Sequence, residues 1–304
     1  MTTTQFAVKG KLNMHIPVNN RSRLRLFAGT LLVASLAAGA FAEDSAGELR
    51  VCADPDNFPF SDEHLAGFEN KLAEVVAKEL KASLRYTWYP QRRGFIRETL
   101  KAGKCDLVIG VPNGYDLVLT TKPYYRSTYV FVYPKKSNLD LHTFDDSVLR
   151  KINIGVHAFG DDGANSPPVH ALARRGIASN VTGFSLFAAV DNPPGKIIDA
   201  LARGRIDVAV VWGPYAGFFA LRQPVAMEVR PVLPGSNPTS QPFSYDISMG
   251  VRPGDTAFLG TVQEILDRRH DDIRKVLEDF GVPLVGAPPT SGSNGPGASV
   301  APPH

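Results

Sequence analysis

Side chains that could bind a ligand or a partner follow the predicted strands of this chain, at the point where each strand ends. The first half contributes Asp54, Asp56, Asn57, Phe58, Arg92, Arg93, Asn113 and Tyr115, and the second half contributes His157, Phe159, Asp161, Trp212 and Tyr215. Ligands of open α/β sheets bind beside the carboxyl ends of the strands, so these residues are predicted to line one cleft. Their mixture of aromatic, acidic and basic groups suits a peptide-like partner as well as a small molecule.

Catalytic chemistry finds little support in the sequence. There is no nucleophile-elbow motif, no paired-carboxylate motif and no pair of histidines four residues apart. Asp54, Asp56 and Asp161 carry hard oxygen ligands, but they lack the regular spacing of a calcium loop, and no Cys/His cluster indicates zinc or haem. The chain is therefore predicted to be no enzyme and to hold no metal or cofactor.

Two adjacent arginines, Arg92 and Arg93, lie just before a helix that is predicted to begin at Gly94. Beside aromatic residues, such a pair could clamp an anionic group or dock a partner. The alternative is a solvated helix start. Two cations at a helix N-terminus oppose the helix dipole, and this unfavourable placement favours the functional interpretation.

Strands and helices alternate along the chain. Strands are predicted at residues 49–53, 84–89, 107–111, 128–133, 208–211 and 245–251, and helices at residues 68–80, 94–102 and 256–280. This alternation indicates an α/β protein with mostly parallel sheets that are covered on both faces. The strands at 128–133 and 245–251 would join two α/β lobes, as a hinged cleft requires.

An internal repeat supports two lobes. Each unit consists of a helix, a glycine that can end the helix in the left-handed conformation, a turn and a buried strand. The residues Ile96, Leu100, Gly103 and Asp106 recur at one constant offset as Ile197, Leu201, Gly204 and Asp207. The matched spacing favours two related lobes over the alternative of two unrelated αβ units.

Both ends of the chain fall outside the predicted lobes. Basic residues between positions 21 and 25 precede an apolar run at 26–38 and an Ala-Phe-Ala sequence that ends at Ala42. This order predicts a signal peptide over residues 1–42, cleaved near Ala42, and hence a periplasmic protein. The alternative, an uncleaved anchor, is disfavoured because the apolar run is too short to span a bilayer. Residues 286–304 are mainly Pro, Gly, Ser and Ala and are predicted to be disordered.

The charge balance and the two cysteines limit the classes of partner and of covalent cross-link that the sequence predicts. The full chain has 33 basic and 30 acidic residues, but five of the basic residues and no acid precede residue 43. The exported chain is thus slightly acidic, and neither nucleic acid nor, after cleavage, a membrane is the expected partner. An exported protein can keep a disulfide between Cys52 and Cys105, although two small buried apolar side chains would fit equally well.

Several motifs resemble the family 3 periplasmic solute-binding proteins of amino-acid ABC transporters. They are Val51-Cys52-Ala53-Asp54 with Phe58-Pro59-Phe60, then Gly67-Phe68-Glu69-Asn70, the Gly103/Asp106 unit, and Lys122-Pro123-Tyr124-Tyr125. The resemblance implies the two-lobed type II fold, in which each lobe is a mostly parallel sheet flanked by helices and two crossover strands join the lobes. Lobe 1 would comprise residues 43–133 and 247–285, and lobe 2 residues 134–246.

Longer motifs, at residues 49–55, 67–71, 90–95 and 119–132, resemble the J proteins of bacterial methanol oxidation, MoxJ and XoxJ. That family is encoded beside quinoprotein methanol dehydrogenases. The resemblance implies an accessory or activation factor that binds a PQQ-dependent methanol dehydrogenase through its cleft, with a lanthanide-dependent enzyme left open. The alternative is a small-molecule solute-binding protein of an ABC transporter. A third hypothesis is an enzyme on this fold, as a few dehydratase relatives are.

The two residues that hold an amino acid in family 3 do not match here. The resemblance places an arginine for the ligand carboxylate after the third strand and an aspartate for its ammonium at the end of the second lobe's repeat strand. In this sequence the loop at residues 111–116 contains no arginine, and Trp212 stands in the place of the aspartate. A free amino acid is therefore not the expected ligand.

Overall fold

The computed structural model describes residues 47–158, 166–186, 193–236 and 242–286. The predicted signal peptide and nearly all of the predicted tail lie outside these ranges. Within them the helices are α1 (Phe68–Leu80), α2 (Phe95–Glu98), α3 (Pro167–Arg174), α4 (Lys196–Ala202), α5 (Gly213–Ala220), α6 (Thr256–Arg268) and α7 (His270–Asp279). None of these described helices is long and apolar enough to cross a membrane.

The strands form one long hydrogen-bonded path and one small hairpin. They are β1 (Glu48–Ala53), β2 (Asp56–Asn57), β3 (Ser61–Asp62), β4 (Ser83–Trp88), β5 (Leu107–Pro112), β6 (Leu119–Thr120), β7 (Tyr125–Pro134), β8 (Ile154–Ala158), β9 (Val181–Ser185), β10 (Val208–Trp212), β11 (Met227–Pro231) and β12 (Ser244–Val251). The long path runs β4-β1-β5-β12-β7-β10-β8-β9, with β6 beside β12 and β11 beside β7. Both ends of the path are parallel, and its centre is antiparallel. The α/β prediction with mostly parallel outer sheets is confirmed.

Strand β7 changes partner along its length. Its residues up to Thr128 pair with β12, and from Tyr129 onward they pair with β10 and β11. The strand therefore passes from the first lobe (β4, β1, β5, β6 and β12) to the second lobe (β7 from Tyr129, β8, β9, β10 and β11). An ion pair of 3.1 Å between Arg126 and Asp246 ties the two crossover strands together. The exact lobe limits given above stay a prediction.

The first lobe is built around the buried face of α1. Phe68, Leu72 and Val76 are fully buried there against β1 and β5, as the helical spacing predicts. On the opposite face of the sheet, Cys52 and Cys105 form a disulfide with a Cα–Cα distance of 5.5 Å. Of the two alternatives left open by the sequence, the bonded pair is therefore the one that the structure contains.

The internal repeat has the same local structure in both lobes. Gly103 and Gly204 have φ angles of +71° and +70°, in the left-handed region that glycine adopts without strain. The N–H of Asp106 then binds the carbonyl of Arg50 at 2.7 Å, and the N–H of Asp207 binds that of Asn153 at 2.9 Å. In each lobe, the backbone N–H of this aspartate therefore connects the end of the turn to the neighbouring strand or to the residue just before it.

Two helices differ from their predicted extents. The helix predicted at 94–102 ends at Glu98, because the N–H groups of Lys101 and Lys104 bond to carbonyls five residues back instead of continuing the helix. The helix predicted at 256–280 is two helices, α6 and α7, that meet at Arg269. Arg269 pairs there with Glu79 of α1, so the break lets both helices pack on α1.

Candidate functional site

A cavity of about 80 Å³ lies between the two lobes, at the carboxyl ends of their strands. Its walls combine one carboxylate with many aromatic rings. They are formed by Asn57, Phe60, Glu69, Gln91, Gly110, Val111, Pro112, Tyr125, Tyr129, His157, Leu186, Trp212, Tyr215, Tyr245 and Ile247. The cavity is partly open to solvent and has room for several water molecules or a small ligand.

Tyr215 of α5 closes the cavity from the second lobe. Its hydroxyl donates a hydrogen bond of 2.8 Å to Oδ1 of Asn57, whose Nδ2 donates one of 2.9 Å to Oε1 of Gln91. The Tyr215 ring also contacts Phe60 edge-on, at 4.9 Å between centroids. These contacts hold the loop after β1 against the second lobe.

The loop after β1 is held by Asp54. One carboxylate oxygen accepts the N–H of Asp56 at 2.9 Å, and the other accepts the N–H of Gln91 at 2.5 Å. Burial is the main cause that raises the pKa of Asp54, and these two backbone hydrogen bonds oppose the rise. Asp54 therefore positions Asn57 and Gln91, and its side chain does not line the cavity.

Glu69 brings a carboxylate to the cavity from the first turn of α1. The start of this helix is fixed by the preceding loop, because Glu69 donates its N–H to the carbonyl of Phe60 at 2.8 Å. Its carboxylate lies against Gly110, where a Cβ atom would overlap Oε1. Burial, with a smaller contribution from the charge of Asp54, raises the pKa of Glu69 to about 8. No residue that the structure describes donates a hydrogen bond to this carboxylate or pairs with it.

The second lobe contributes neutral groups. Burial lowers the pKa of His157 to about 4, so its imidazole is uncharged at neutral pH, and its Nε2 lies 3.2 Å from the carbonyl of Pro194. Trp212, at the end of β10, is only 7% exposed. Its ring contacts Tyr129 at 5.4 Å and Tyr245 at 5.7 Å, both edge-to-face. An aromatic wall thus lies at the end of β10.

The structure brings four of the predicted site residues together in the cavity wall: Asn57, His157, Trp212 and Tyr215. Asp56 and Phe58 border a separate depression, where Phe58 packs on Phe218 of α5 at 4.7 Å. Arg92, Arg93 and Asn113 are exposed, and Tyr115 packs against the apolar cluster around the disulfide. Phe159 and Asp161 lie outside the described residues. That these residues bind a ligand or a partner stays a prediction.

Several cavity residues were not predicted from the sequence, chiefly Glu69, Tyr129 and Tyr245. The two tyrosines were seen only as part of the crossover strands. For Glu69 a signal existed, since it precedes Leu72 and Val76 by three and seven residues and therefore lies on the buried face of α1. A carboxylate on an apolar helix face is uncommon, and this position could have been singled out on that ground.

The cavity chemistry does not fit an amino acid. Its wall contains no arginine or lysine among the described residues, so an α-carboxylate would meet Glu69 without a cation to pair with. A metal site is not evident either, because no three His, Cys, Asp or Glu side chains of the described ranges come together. The arrangement can bind a small uncharged or cationic molecule by aromatic contacts and one carboxylate.

Known proteins show the same architecture. Protein MoxJ of Methylorubrum extorquens AM1 is 28% identical over 296 residues, which cover 88% of this chain and 98% of MoxJ. Protein MoxJ of Paracoccus denitrificans is 29% identical over 266 residues, covering 83% of this chain and 93% of that protein. The crystal structure of the periplasmic binding protein XoxJ from Methylobacterium extorquens AM1 is 37% identical and superposes with a TM-score of 0.65. It covers 79% of this chain and all of XoxJ.

The sequence model of the bacterial extracellular solute-binding proteins, family 3, matches residues 49–280. This match spans both lobes and includes every cavity residue named above. The two-lobed type II fold that the motifs predicted is confirmed by the superposition on XoxJ. The chain therefore belongs to the family 3 bacterial extracellular solute-binding proteins and is related to MoxJ and XoxJ.

Proposed function

We propose that this chain is a periplasmic accessory factor that binds a PQQ-dependent methanol dehydrogenase and catalyses no reaction itself. The proposal is supported by the residues at the two positions where this family is expected to carry its amino-acid anchors. The chain has the buried Trp212 at one of them, and at the other it has the exposed Asn113 in a loop without arginine. The similarity to MoxJ and XoxJ over nearly the whole of those proteins supports a shared role.

The docking surface that we propose is centred on Arg92 and Arg93. Both are exposed, and neither forms an ion pair with a described residue, so both remain available to a partner. Tyr89, Phe95 and Tyr115 beneath them pack in the cluster around the disulfide, which gives the surface a rigid base. Trp212, which was predicted to line the same cleft as Arg92 and Arg93, lies inside the cavity wall and is no part of the proposed surface.

Interferometry that measures the affinity of the mature protein for the co-encoded methanol dehydrogenase tests this proposal. Arg92→Ala/Arg93→Ala is expected to weaken binding at least tenfold, about 1.4 kcal/mol, with an unchanged melting temperature. Lys135→Ala/Lys136→Ala is a matched control, because this exposed basic pair lies at the end of β7 in the second lobe. Equal effects of the two double variants, or no binding by the wild type to apo or PQQ-loaded enzyme, would contradict the proposal.

Export to the periplasm is part of the same proposal. It rests on the basic, apolar and Ala-Phe-Ala order of residues 21–42, together with the kinship to a periplasmic binding protein. N-terminal sequencing of periplasmic material is expected to begin near Glu43. A soluble protein that begins at Met1 would contradict it.

A second candidate function is delivery of a small molecule to an ABC permease. The cavity between the lobes favours it, because a surface used only for protein docking needs no internal space with an unpaired carboxylate. Native mass spectrometry of protein purified from periplasm would distinguish the two functions. A retained small molecule supports the transport role, whereas co-purification with the dehydrogenase supports the accessory role.

A further inference from the structure

We propose that the cavity between the lobes binds a small organic cation, such as a methylated ammonium ion, with Glu69 opposite its charge and aromatic rings around its alkyl groups. This ligand class goes beyond the proposed docking function and uses different residues. It rests on the carboxylate, on the rings and on the charges of the other described residues near them.

The carboxylate of Glu69 is in place but unpaired. Among the described residues nothing donates a hydrogen bond to it, and the half-buried Glu69 side chain faces the cavity, where a ligand can reach it. Gly110 has no Cβ atom, and Oε1 of Glu69 occupies the space that a Cβ atom would fill. The backbone of β5 therefore accommodates the Glu69 side chain at this position. A cationic ligand would supply the missing partner.

The rings around the cavity are of the kind that attracts cations. Trp212 lies edge-to-face with both Tyr129 and Tyr245, and Phe60 lies edge-to-face with Tyr215. Cations without hydrogen-bond donors, quaternary ammonium ions above all, are bound in proteins by such groups of aromatic side chains. Tryptophan is the strongest of them, and Trp212 lies in the cavity wall.

The charges around Glu69 leave the site negative or neutral. Asp54 lies near it at the end of β1, and Tyr86, Tyr125 and Tyr215 approach it from β4, β7 and α5 with pKa values raised by burial. His157 of β8 is uncharged. A zwitterion or an anion would therefore bring an unpaired negative charge into the cavity.

The volume of the cavity and the number of carboxylates in its wall further limit the class of ligand. A cavity of about 80 Å³ that is partly open to solvent has room for a small molecule. A divalent metal ion needs several oxygen ligands, and Glu69 is the only carboxylate in the described wall. The ligand that remains is a compact monovalent organic cation.

Titration calorimetry tests the ligand class. The protein is first unfolded, dialysed to remove any bound ligand, and refolded. The probes are tetramethylammonium, trimethylammonium and methylammonium chloride, with tert-butanol as a neutral molecule of similar shape. We expect the best cation to bind at least tenfold more tightly than tert-butanol. Equal affinity for tert-butanol, or no detectable binding of any of the three cations, would overturn the proposal.

Two variants on the same helix test the role of Glu69. Glu69→Gln keeps the shape and is expected to weaken cation binding at least tenfold without affecting tert-butanol. Glu74→Gln, at an exposed position of α1 beside Lys71, is expected to change neither. Equal cation affinities of the wild type and a folded Glu69→Gln protein would overturn the assignment.

A pH series on the wild type keeps the test independent of whether the Glu69→Gln protein folds. Because Glu69 must lose a proton to pair with the ligand, tetramethylammonium is expected to bind at least tenfold more tightly at pH 8.5 than at pH 6.5. An affinity that does not change with pH would contradict the assignment of Glu69 as the group that pairs with the cation.

Tighter binding of Nα-acetyl-lysine methylamide than of methylammonium would show that the cation belongs to a protein partner. That result would overturn the free-ligand assignment but leave the dehydrogenase proposal intact.

Discussion

The hydroxyl of Tyr215 donates a hydrogen bond to Asn57 across the cleft, over 2.8 Å. Tyr215 belongs to α5 of the second lobe, whereas Asn57 belongs to β2 of the short hairpin after β1 and is held in turn by Gln91. Both residues line the cavity, so this bond connects the two lobes at the cavity wall.

Replacement of Tyr215 by phenylalanine removes this bond and keeps the ring. The change leaves Oδ1 of Asn57 without its donor and is expected to lower the free energy of unfolding by about 1–2 kcal/mol. Denaturant unfolding measures the loss, and small-angle scattering of the ligand-free protein should report an increased radius of gyration. Tyr89→Phe is the matched control, because the Tyr89 hydroxyl forms no hydrogen bond with the described residues. A Tyr215→Phe protein as stable and as compact as the control would contradict the assigned role.

The Cys52–Cys105 disulfide is expected to stabilise the first lobe. It closes a loop over a sequence separation of 53 residues. The loss of chain entropy in the unfolded state then corresponds to about 4 kcal/mol. Reduction with dithiothreitol should lower the free energy of unfolding of the wild type by an amount of that order. The Cys52→Ala/Cys105→Ala protein should not respond to the reductant, and an equal response of both proteins would contradict the prediction.

Glu69 is expected to make the ligand-free protein less stable at alkaline pH. Its pKa in the folded state, about 8, lies above the ordinary value of 4.5, so the folded protein holds this proton more tightly than the unfolded chain does. The resulting stability is fully present below pH 4.5 and is lost as the pH rises through about 8, at a total of several kcal/mol.

Comparison with Glu69→Gln isolates this effect. The amide cannot ionise, so the variant should gain stability relative to the wild type between pH 5 and pH 9. Urea unfolding at several pH values measures the difference, and Glu74→Gln again serves as the control. Parallel pH profiles for the wild type and Glu69→Gln would show that Glu69 does not titrate in this range.

Much of the fold could be predicted because its signals are local. The spacing of Phe68, Leu72 and Val76 predicts α1, and the constant offset of the Gly103 and Gly204 units predicts their shared structure. The break at Arg269 between α6 and α7 could not be predicted, because it depends on the ion pair between Arg269 and Glu79 of a distant helix.

The cavity was predicted less completely than the fold. Asn57, Trp212 and Tyr215 follow strand ends, where sequence position alone indicates a site. Tyr129 and Tyr245 lie within crossover strands, and their role depends on how the lobes meet, which no local pattern reports. Trp212 is buried for the same reason, because its ring packs against Tyr129 and Tyr245 of these strands.

The last prediction concerns free amino acids. Glutamate, glutamine, lysine and arginine are expected to bind this protein no more tightly than millimolar. Each carries an α-carboxylate, which would enter a cavity that contains Glu69 and, in its described wall, no arginine or lysine. Leaving such a charge unpaired costs several kcal/mol, which corresponds to a thousandfold or more in affinity. Calorimetric titration of refolded, ligand-free protein measures this, with tetramethylammonium as the reference for an accessible cavity. Micromolar binding of any of the four amino acids would mean that another group pairs with the carboxylate and that the anchor positions were assigned wrongly.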